Sequence, residues 1–236
     1  MKITFISDTH TKHKQVTSSL PGGDLLIHAG DLSSMGYKHE IQQFCKWFNS
    51  IEGYNHKAFI AGNHDWGFQD NHEQIMEVVN SYKDIDYLQD DMLMIGEDYD
   101  KMVKIWGSPW QPEFYNWAFN LPRQGDELKE KWNMIPEDTD VLITHSPPNG
   151  YGDLVNNWKQ PNTHVGCECL ISRIGEINPL VNVFGHIHEG YGVQYGGKTL
   201  FVNASICTTE YEPTNKPIVI DLVEINGKIN AIYVEE

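Results

Sequence analysis

The sequence predicts an α/β fold whose buried strands end in residue types that can bind metal ions. Short apolar runs such as Leu25 to Ile27 are typical of parallel strands buried on both faces. Segments with helical spacing of apolar residues separate several of these runs. Carboxylate, imidazole or amide side chains follow the runs, at the strand ends where ligands of α/β folds gather. No repeat or linker divides the chain, so we expect a single domain over residues 1–236.

The first third of the chain contains three predicted strands and two predicted helices. Lys2 to Ile6 alternates and is rich in Ile and Phe, which indicates a strand. Residues 25–29 and Lys57 to Ala61 are further apolar runs of strand type. Residues 37–50 place their apolar groups on one helical face, and residues 72–82 have a helical pattern as well.

The rest of the chain continues this alternation around a less regular middle segment at 107–135. That segment is rich in Trp, Phe and Pro and has one helical stretch near Asp126 to Trp132. A second helix is predicted near 165–176, and Asn226-Gly227 is the turn sequence of a terminal β-hairpin. The remaining predicted strands, the first two of which flank an acidic turn, are Met92 to Ile95, Met102 to Trp106, Val141 to Thr144, Val181 to Phe184, Leu200 to Val202, Lys216 to Val223 and Lys228 to Val234.

The net charge, the cysteine content and the lack of long apolar runs restrict the partners and the cellular location that we expect for this chain. The formal charge is 17 minus 33, or -16, which argues against long nucleic acids, because they bind to clustered Lys and Arg. A small phosphate ester stays compatible with this charge when metal ions reverse it locally. The four cysteines are too few and scattered for a disulfide framework, so we expect free thiols. Without a basic and apolar leader or a long apolar run, the chain is expected to be cytoplasmic, with no membrane partner.

The residues just past the predicted strand ends form a recurring set of metal ligands. Two pairs, Asp8-x-His10 and His186-x-His188, have spacing that points both side chains the same way on extended backbone. These oxygen and imidazole donors suit divalent Zn, Mn or Fe. The set exceeds what one tetrahedral ion can use, and a two-metal site with Asp31 as the bridging carboxylate explains the surplus. Its members are Asp8, His10, Asp31, Asn63, His64, His145, His186 and His188.

Each of these residues also has an ordinary structural explanation. An Asp after a strand is commonly a turn or helix cap, and Asn63 after Gly62 fits a turn with positive φ. His145 before two prolines fits a hydrogen-bonded loop residue. The recurrence at five strand ends favours the metal site, because independent caps have no reason to be ligand types each time. The histidines outside this pattern, His28, His56, His72 and His164, are not predicted ligands.

The same motifs, in the same order, resemble the calcineurin-like metallophosphoesterases. The motifs are Asp8-x-His10, Gly30-Asp31, Gly62-Asn63-His64-Asp65, His145 and Gly185-His186-x-His188. Further stretches resemble the metallophosphoesterase-domain-containing (MPPED) phosphodiesterases more narrowly, among them Thr144-His145-x-Pro-Pro and Phe201-Val-Asn203-Ala-Ser205. The resemblance implies a four-layer α/β/β/α sandwich of two mixed sheets flanked by helices. It also implies one metal on Asp8, His10, Asp31 and His188 and a second on Asp31, Asn63, His145 and His186.

The chain lacks an arginine that many phosphatases of the family carry, and it keeps a histidine that some members of the narrower subfamily replace. Many family phosphatases carry an arginine a few residues beyond Gly-Asp, whereas Leu32-Ser-Ser-Met-Gly36 follows here. The missing cation weakens the case for a phosphomonoesterase or protein phosphatase. Some members of the narrower subfamily replace the first His of Gly-His-x-His, but His186 is kept, so we expect both metal sites to be occupied.

The resemblance implies a dinuclear-metal phosphodiesterase that acts on small phosphodiesters, cyclic nucleotides among them. Two divalent ions lower the pKa of a bridging water, so hydroxide forms near neutral pH and attacks phosphorus. Asp31 is the shared ligand, Asn63 helps to stabilise the phosphoryl oxygens, and His64 is the expected general acid. The alternatives are a phosphomonoesterase or nuclease of the same fold, or a non-catalytic metal-binding module.

Substrate choice is expected in the aromatic segment at 106–120. Trp110, Phe114 and Trp117, with Phe119, are candidates to stack on a nucleobase. Asn120 or Tyr191 would then read the edge of the base. The alternative interpretation is that these aromatic side chains are packed core, since large aromatic residues dominate protein cores.

Overall fold

The computed structural model describes residues 1–96, 102–156 and 159–235. Two six-stranded mixed sheets pack face to face, with orders β16-β15-β1-β2-β3-β4 and β13-β14-β12-β9-β6-β5. Helices cover the outer faces of both sheets, which gives the α/β/β/α layering that the sequence predicted. The first sheet consists of β1 (Lys2–Ile6), β2 (Gly23–Ala29), β3 (Tyr54–Ile60), β4 (Asp86–Tyr87), β15 (Ile218–Ile225) and β16 (Lys228–Val234). The second consists of β5 (Asp91–Ile95), β6 (Val103–Ser108), β9 (Val141–Thr144), β12 (Val181–Phe184), β13 (Gly192–Gly196) and β14 (Thr199–Asn203).

The remaining elements are helices and two short ribbons beside the sandwich. The ribbons pair β7 with β8 in parallel and β10 with β11 in antiparallel orientation. The helices α2 and α4 contact each other on one side, as do α5 and α6 on the other. Their bounds are α1 (His13–Val16), α2 (Lys38–Ser50), α3 (Trp66–Asp70), α4 (His72–Val79), α5 (Asp126–Asn133) and α6 (Glu168–Ile177). The ribbon strands are β7 (Gln111–Pro112), β8 (Asn120–Leu121), β10 (Leu154–Val155) and β11 (Thr163–His164).

The core lies in three apolar layers because strand side chains alternate between the two faces of each sheet. In β2, Leu25 and Ile27 point into the layer between the sheets, while Leu26 packs against the outer helices. In β9, Val141 and Ile143 point inward, and Leu142 joins the outer layer under α5 and α6. The strands are apolar on both faces, which is why they read as near-continuous apolar runs in the sequence.

The parallel strands set the position of the functional site. In the first sheet β1 pairs with β2 and β2 with β3 in parallel, and in the second β9 pairs with β12 in parallel. An isolated parallel bridge between Ser7 and Ser205 joins the ends of the two sheets. The carboxyl ends of these strands therefore meet at one edge of the sandwich.

Most predicted elements are confirmed with shifts of a few residues at their ends. The terminal hairpin is confirmed, and Asn226 and Gly227 both have positive φ, as its tight turn requires. The acidic turn predicted between β5 and β6 falls on residues 97–101, outside the described residues. Strand β13 was not predicted, because its glycines and its half-exposed residues on the sheet edge give no apolar run.

The described part of the chain also shows the state of the cysteines and the lengths of the helices. All four cysteines are free, and Cys45, Cys167 and Cys207 are buried. Within residues 1–96, 102–156 and 159–235, no helix is long and apolar enough to cross a bilayer.

Candidate metal centre

Five strand ends from both sheets converge on one group of side chains. Asp8 follows β1, Asp31 follows β2, and Asn63 follows β3. His145 follows β9, and the Gly185–His188 loop follows β12. The parallel order of these strands brings residues far apart in sequence to the same edge. The ligand set predicted from sequence is thus assembled at one place.

Several of these turns hold non-glycine residues in a left-handed backbone conformation. Asp8, His10, Asp31 and His186 all have φ between 41° and 67°. That region is sparsely populated for residues with a Cβ and costs about 1–3 kcal/mol each. The surrounding packing must offset this cost. The left-handed turns direct these side chains toward the edge where the two sheets meet.

Gly185 shows how closely the backbone approaches the ligands. A Cβ at this position would lie 1.9 Å from Asp8 Oδ2 and 2.2 Å from Ser7 Oγ. Its neighbour His186 donates its backbone N–H to Asp8 Oδ1 at 3.0 Å. The loop after β12 therefore packs directly on the loop after β1, and a glycine is needed at the contact.

The first predicted metal position lies between Asp8, His10 and His188. Asp8 Oδ1 is 3.3 Å from His188 Nε2 and 3.9 Å from His10 Nε2. The two imidazole Nε2 atoms are 3.3 Å apart, and His10 Nε2 is 3.8 Å from Asp31 Oδ2. Asp8, His10 and His188 form one group whose donor atoms all lie within 4.8 Å of one another, and Asp31 approaches this group at His10.

The second predicted position lies between Asp31, Asn63, His145 and His186. His145 Nε2 is 3.4 Å from Asp31 Oδ1 and 3.0 Å from Asn63 Oδ1. His186 Nδ1 is 2.7 Å from the same amide oxygen. Asp31 thus borders both positions, as expected for a carboxylate shared by two ions.

The donor atoms at these positions fit divalent cations. His145 Nδ1 lies 2.9 Å from the Ala29 carbonyl and His188 Nδ1 lies 2.8 Å from the Thr208 carbonyl. Because a carbonyl only accepts, each Nδ1 carries a proton, and each Nε2 would offer a lone pair to a bound cation once the ring has released its second proton. Lone pairs and carboxylate oxygens crowded together at this distance are stabilised by a cation among them.

The pKa values of the clustered histidines and carboxylates also indicate that this cluster favours positive charge. Burial lowers the pKa of His145, but the carboxylate of Asp31 outweighs burial and raises that pKa to about 9. Burial likewise opposes protonation of His188, whose pKa the hydrogen bond and charge of Asp8 raise to about 9. Burial raises the pKa of Asp31 but is outweighed by His145 and His64, which hold it well below its usual range. Burial raises the pKa of Asp8 as well, but the hydrogen bond and charge of His188 outweigh it and lower that pKa, so Asp8 and Asp31 are both ionised at neutral pH.

His64 lies beside both positions, with its ring held from behind. Its backbone N–H donates to Asp31 Oδ1 at 2.8 Å, and its ring Nδ1 lies 2.8 Å from the Ser34 carbonyl. Its Nε2 faces the centre, 3.9 Å from Asp31 Oδ2. The geometry also groups His64 with His10 and Asp31 as a possible ligand, so position alone does not separate an acid from a ligand.

Asp65 braces the two loops that carry Asp31 and Asn63. It is fully buried and accepts the backbone N–H groups of Gly62 at 2.8 Å and Ser33 at 3.0 Å. Burial and the nearby charge of Asp31 raise the pKa of Asp65 to about 7. The His64 ring is held by the Ser34 carbonyl and not by Asp65.

Comparison with known proteins identifies the family. The family model described as "Calcineurin-like phosphoesterase superfamily domain" matches residues 1–224. The chain belongs to the calcineurin-like phosphoesterase superfamily. It is 42% identical over 241 residues to metallophosphoesterase domain-containing protein 1 of Homo sapiens, covering 92% of this chain and 69% of that protein. The resemblance noted from the sequence motifs is thereby confirmed.

More distant relatives and solved structures agree with the fold. An UPF0046 protein of Caenorhabditis elegans is 34% identical over 262 residues, covering 100% of this chain and 63% of its own length. The crystal structure of a phosphopantetheinyl hydrolase from Mycobacterium tuberculosis is similar with a TM-score of 0.60 and 15% sequence identity. That match covers 89% of this chain and 90% of the other, and it shows the shared fold.

In this calcineurin-like phosphoesterase, a cavity of about 470 Å³ opens onto the metal centre. Two of the predicted substrate contacts, Phe114 and Trp117, line it. The Trp117 ring stacks on His64 with centroids 4.2 Å apart, and Phe114 meets His186 edge to face at 5.7 Å. The cavity is thus walled by aromatic side chains on the His64 side.

Three other predicted substrate contacts lie outside the described cavity lining. The Trp110 indole N–H donates to Asp90 Oδ2 at 2.8 Å, and its ring packs on the fully buried Phe119. Asn120 braces its own loop by donating to the Phe114 and Tyr115 carbonyls. The Tyr191 hydroxyl donates to the Lys216 carbonyl at 2.9 Å, and its ring packs on the inter-sheet core. These three side chains have packing partners instead of facing the cavity.

Some site residues gave no usable sequence signal. The Ser205 hydroxyl donates to Asp8 Oδ2 at 3.0 Å, and the Thr208 carbonyl fixes His188. Tyr211 lines the cavity beside the His10 and His188 rings. These residues belong to the loop after β14, whose lack of periodicity hides its approach to the centre. The unpredicted histidines His28, His56, His72 and His164 join none of the described ligand groups.

Proposed function

We propose that this chain is a two-metal phosphodiesterase that hydrolyses small phosphodiesters, cyclic nucleotides among them, with His64 as general acid. The observation that carries the proposal is the pair of neighbouring ligand groups, one of Asp8, His10 and His188 and one of Asp31, His145 and His186, beside a cavity that Asp31 and His64 line. Membership in the calcineurin-like phosphoesterase superfamily supports the hydrolase class.

Asp8, His10, Asp31 and His188 would hold one ion, and Asp31, Asn63, His145 and His186 the other. Oxygen and imidazole donors suit manganese, iron or zinc in divalent form. When bound, the two ions supply Lewis acidity at phosphorus and lower the pKa of a water molecule between them. The imidazole orientation is set by the protein, because backbone carbonyls hold the second nitrogens of His145 and His188.

The residues of this chain then position the ester and move one proton. Asn63 turns its amide oxygen toward His145 and His186, which leaves its N–H₂ group to donate to a phosphoryl oxygen. The Ser34 carbonyl lies 2.8 Å from Nδ1 of His64, so the ring in its imidazolium form would have its second proton on Nε2, free to pass to the leaving oxygen. The Trp117 ring stacks on the His64 ring, which limits the motion of His64, and it provides an apolar wall for the leaving group.

The charges of the cavity favour a diester over a monoester. A phosphate monoester carries about -1.5 to -2 charges at neutral pH, whereas a diester carries one. Arg123 is the one Lys or Arg among the described lining residues, and it is already engaged by Glu168 at 2.9 Å and by backbone carbonyls. The acidic side chains of Glu113 and Glu189 also line the cavity. A monoanionic substrate of small size fits this balance best.

The proposal is tested by steady-state hydrolysis of bis-p-nitrophenyl phosphate and p-nitrophenyl phosphate by the metal-reconstituted protein. We expect the diester to turn over well above the monoester, with activity abolished by chelator and restored by manganese. An Asp31→Asn variant should lose this activity, whereas Tyr195→Phe, on an exposed strand-edge residue, should retain it. Equal or greater monoester turnover would replace the diesterase proposal by a phosphomonoesterase. No hydrolysis of either ester by protein with two bound ions would indicate a binding module.

A further inference from the structure

The cavity wall beside His10 and His188 includes Tyr211, a residue that the proposed mechanism does not use. Tyr211 lines the cavity and is 46% exposed. Its ring lies 4.9 Å from the His10 ring and 5.3 Å from the His188 ring, edge to face in both cases. It therefore borders the first metal position without being a ligand-type residue, and nothing in the ligand set explains a tyrosine there.

The backbone around Tyr211 is held in one conformation by several contacts. Tyr211 has φ of 60°, a region that favours glycine, and its N–H donates to the Thr208 carbonyl at 2.8 Å. Lys12 donates to the Tyr211 carbonyl and lies 4.0 Å from Glu212. The Thr208 carbonyl in turn accepts from His188. The loop is thus tied to the metal centre at one end and to the α1 region at the other.

The hydroxyl of this fixed ring is free. Across residues 1–96, 102–156 and 159–235, no atom forms a hydrogen bond with it. The other tyrosine near the site, Tyr191, has its hydroxyl satisfied by a backbone carbonyl. A phenol held at the mouth of a cavity with an unused donor is suited to bind an oxygen of a ligand that enters it.

We propose that Tyr211 is a substrate-binding residue whose hydroxyl donates a hydrogen bond to a phosphoryl oxygen of the bound diester. The inference rests on the proposed phosphodiesterase function and adds a specificity determinant to it. A neutral donor recognises the single charge of a diester without supplying the cation that a monoester dianion requires. With Trp117 and His64 on the leaving-group side, Tyr211 would contact the phosphate on the side of Asp8, His10 and His188.

The test compares metal-reconstituted wild type with Tyr211→Phe, which removes only the hydroxyl and keeps the ring packed on His10 and His188. Binding of dimethyl phosphate, a diester with no good leaving group, is measured by calorimetry. The kcat/KM for bis-p-nitrophenyl phosphate is measured in parallel. Because a hydrogen bond to a charged acceptor is worth about 1.5–3 kcal/mol, we expect both affinity and kcat/KM to fall roughly tenfold or more. Tyr195→Phe, which is 72% exposed and outside the lining, is the matched control and should change neither.

The outcomes separate this inference from the proposed function. A Tyr211→Phe protein within twofold of wild type in both measurements overturns the inference, even when wild type is an active diesterase. A fall in metal content or melting temperature in Tyr211→Phe also overturns it, because the hydroxyl would then be structural. Wild type that hydrolyses neither ester refutes the proposed function, and the dimethyl phosphate affinities still decide whether Tyr211 binds the phosphate.

Discussion

The histidines of the metal centre show how one residue type takes different roles. His145 and His188 each have one ring nitrogen fixed by a backbone carbonyl, so the other faces the ligand group. His64 is fixed in the same way but stands at the rim, partly exposed, beside Asp31. His28 is fully buried behind the site, where burial lowers its pKa to about 3 and keeps it neutral. Position decides which imidazole can coordinate, donate a proton or only pack.

His64→Ala separates the acid role from the ligand role. If His64 only delivers a proton, the variant should bind both ions as wild type does, as measured by elemental analysis. Its kcat on a diester with a poor, alkyl leaving group should fall about 10²–10⁴-fold, with a smaller loss on p-nitrophenyl esters that need no proton. His39→Ala, an exposed histidine on α2, is the control. Loss of one ion would instead make His64 a ligand, and unchanged kcat on the alkyl ester would remove it from the mechanism.

At the scale of elements, the unit of the site is a buried strand followed by a tight loop. Each strand is anchored by apolar side chains on both faces, so its end is rigid and the ligand that follows is positioned with little freedom. Glycines allow the loops to touch, as Gly62 does against Asp31, where a Cβ would lie 2.3 Å from Oδ1. The loops therefore tolerate side-chain changes poorly wherever two of them meet.

Gly185→Ala and Gly175→Ala make this contrast measurable. The added methyl at Gly185 would overlap Asp8 Oδ2, so we expect metal affinity to fall about 10–100-fold and stability to fall by about 1–3 kcal/mol. Gly175 lies within α6, and a Cβ at this position would meet no other atom of the described residues within 4 Å. Alanine there should therefore stabilise the protein by about 0.5–1 kcal/mol. Denaturant titration and metal titration of both variants test the pair. Wild-type metal affinity in Gly185→Ala would contradict the packing argument.

At the scale of the molecule, the metal centre joins the two sheets. Asp8, Asp31 and Asn63 come from the first sheet, and His145 and His186 from the second. The sheets also share the central apolar layer, so neither has a core of its own on that side. Binding of ions at this edge is therefore expected to stabilise the whole sandwich and not one half of it.

Removal of metal should lower the thermal stability in a single transition. Each ion at about 100 times its dissociation constant contributes about 2.7 kcal/mol, so two ions contribute about 5 kcal/mol, which corresponds to a shift of roughly 10–20 °C for a domain of this size. Calorimetry of reconstituted and chelator-treated protein measures the shift, and Asp31→Asn should largely abolish it. Two separate transitions, or an identical melting temperature without metal, would contradict a centre that binds both sheets.

The loop after β14 shows where sequence reasoning stopped. Its residues have no periodicity, so nothing indicated that Tyr211 lines the cavity or that Ser205 and Thr208 support ligands. Trp110 and Phe114 have the same aromatic character in the sequence, yet one packs beside Phe119 and the other faces the cavity. Which side of a loop faces the site depends on contacts with distant segments, which local patterns do not contain.

The sequence by itself determined ten of the twelve strands of the two large sheets, the α/β class and the set of ligand-type residues at the strand ends. It could do so because burial on both faces imposes apolar runs, and because a run and the polar residue that ends it are neighbours in the chain. Only the tertiary structure decided which of these side chains meet, how the loops brace them and which aromatic residues face the cavity. Those facts follow from the packing of the two sheets, which brings together residues more than a hundred positions apart, such as Asp8 and His188, and no local pattern records that packing.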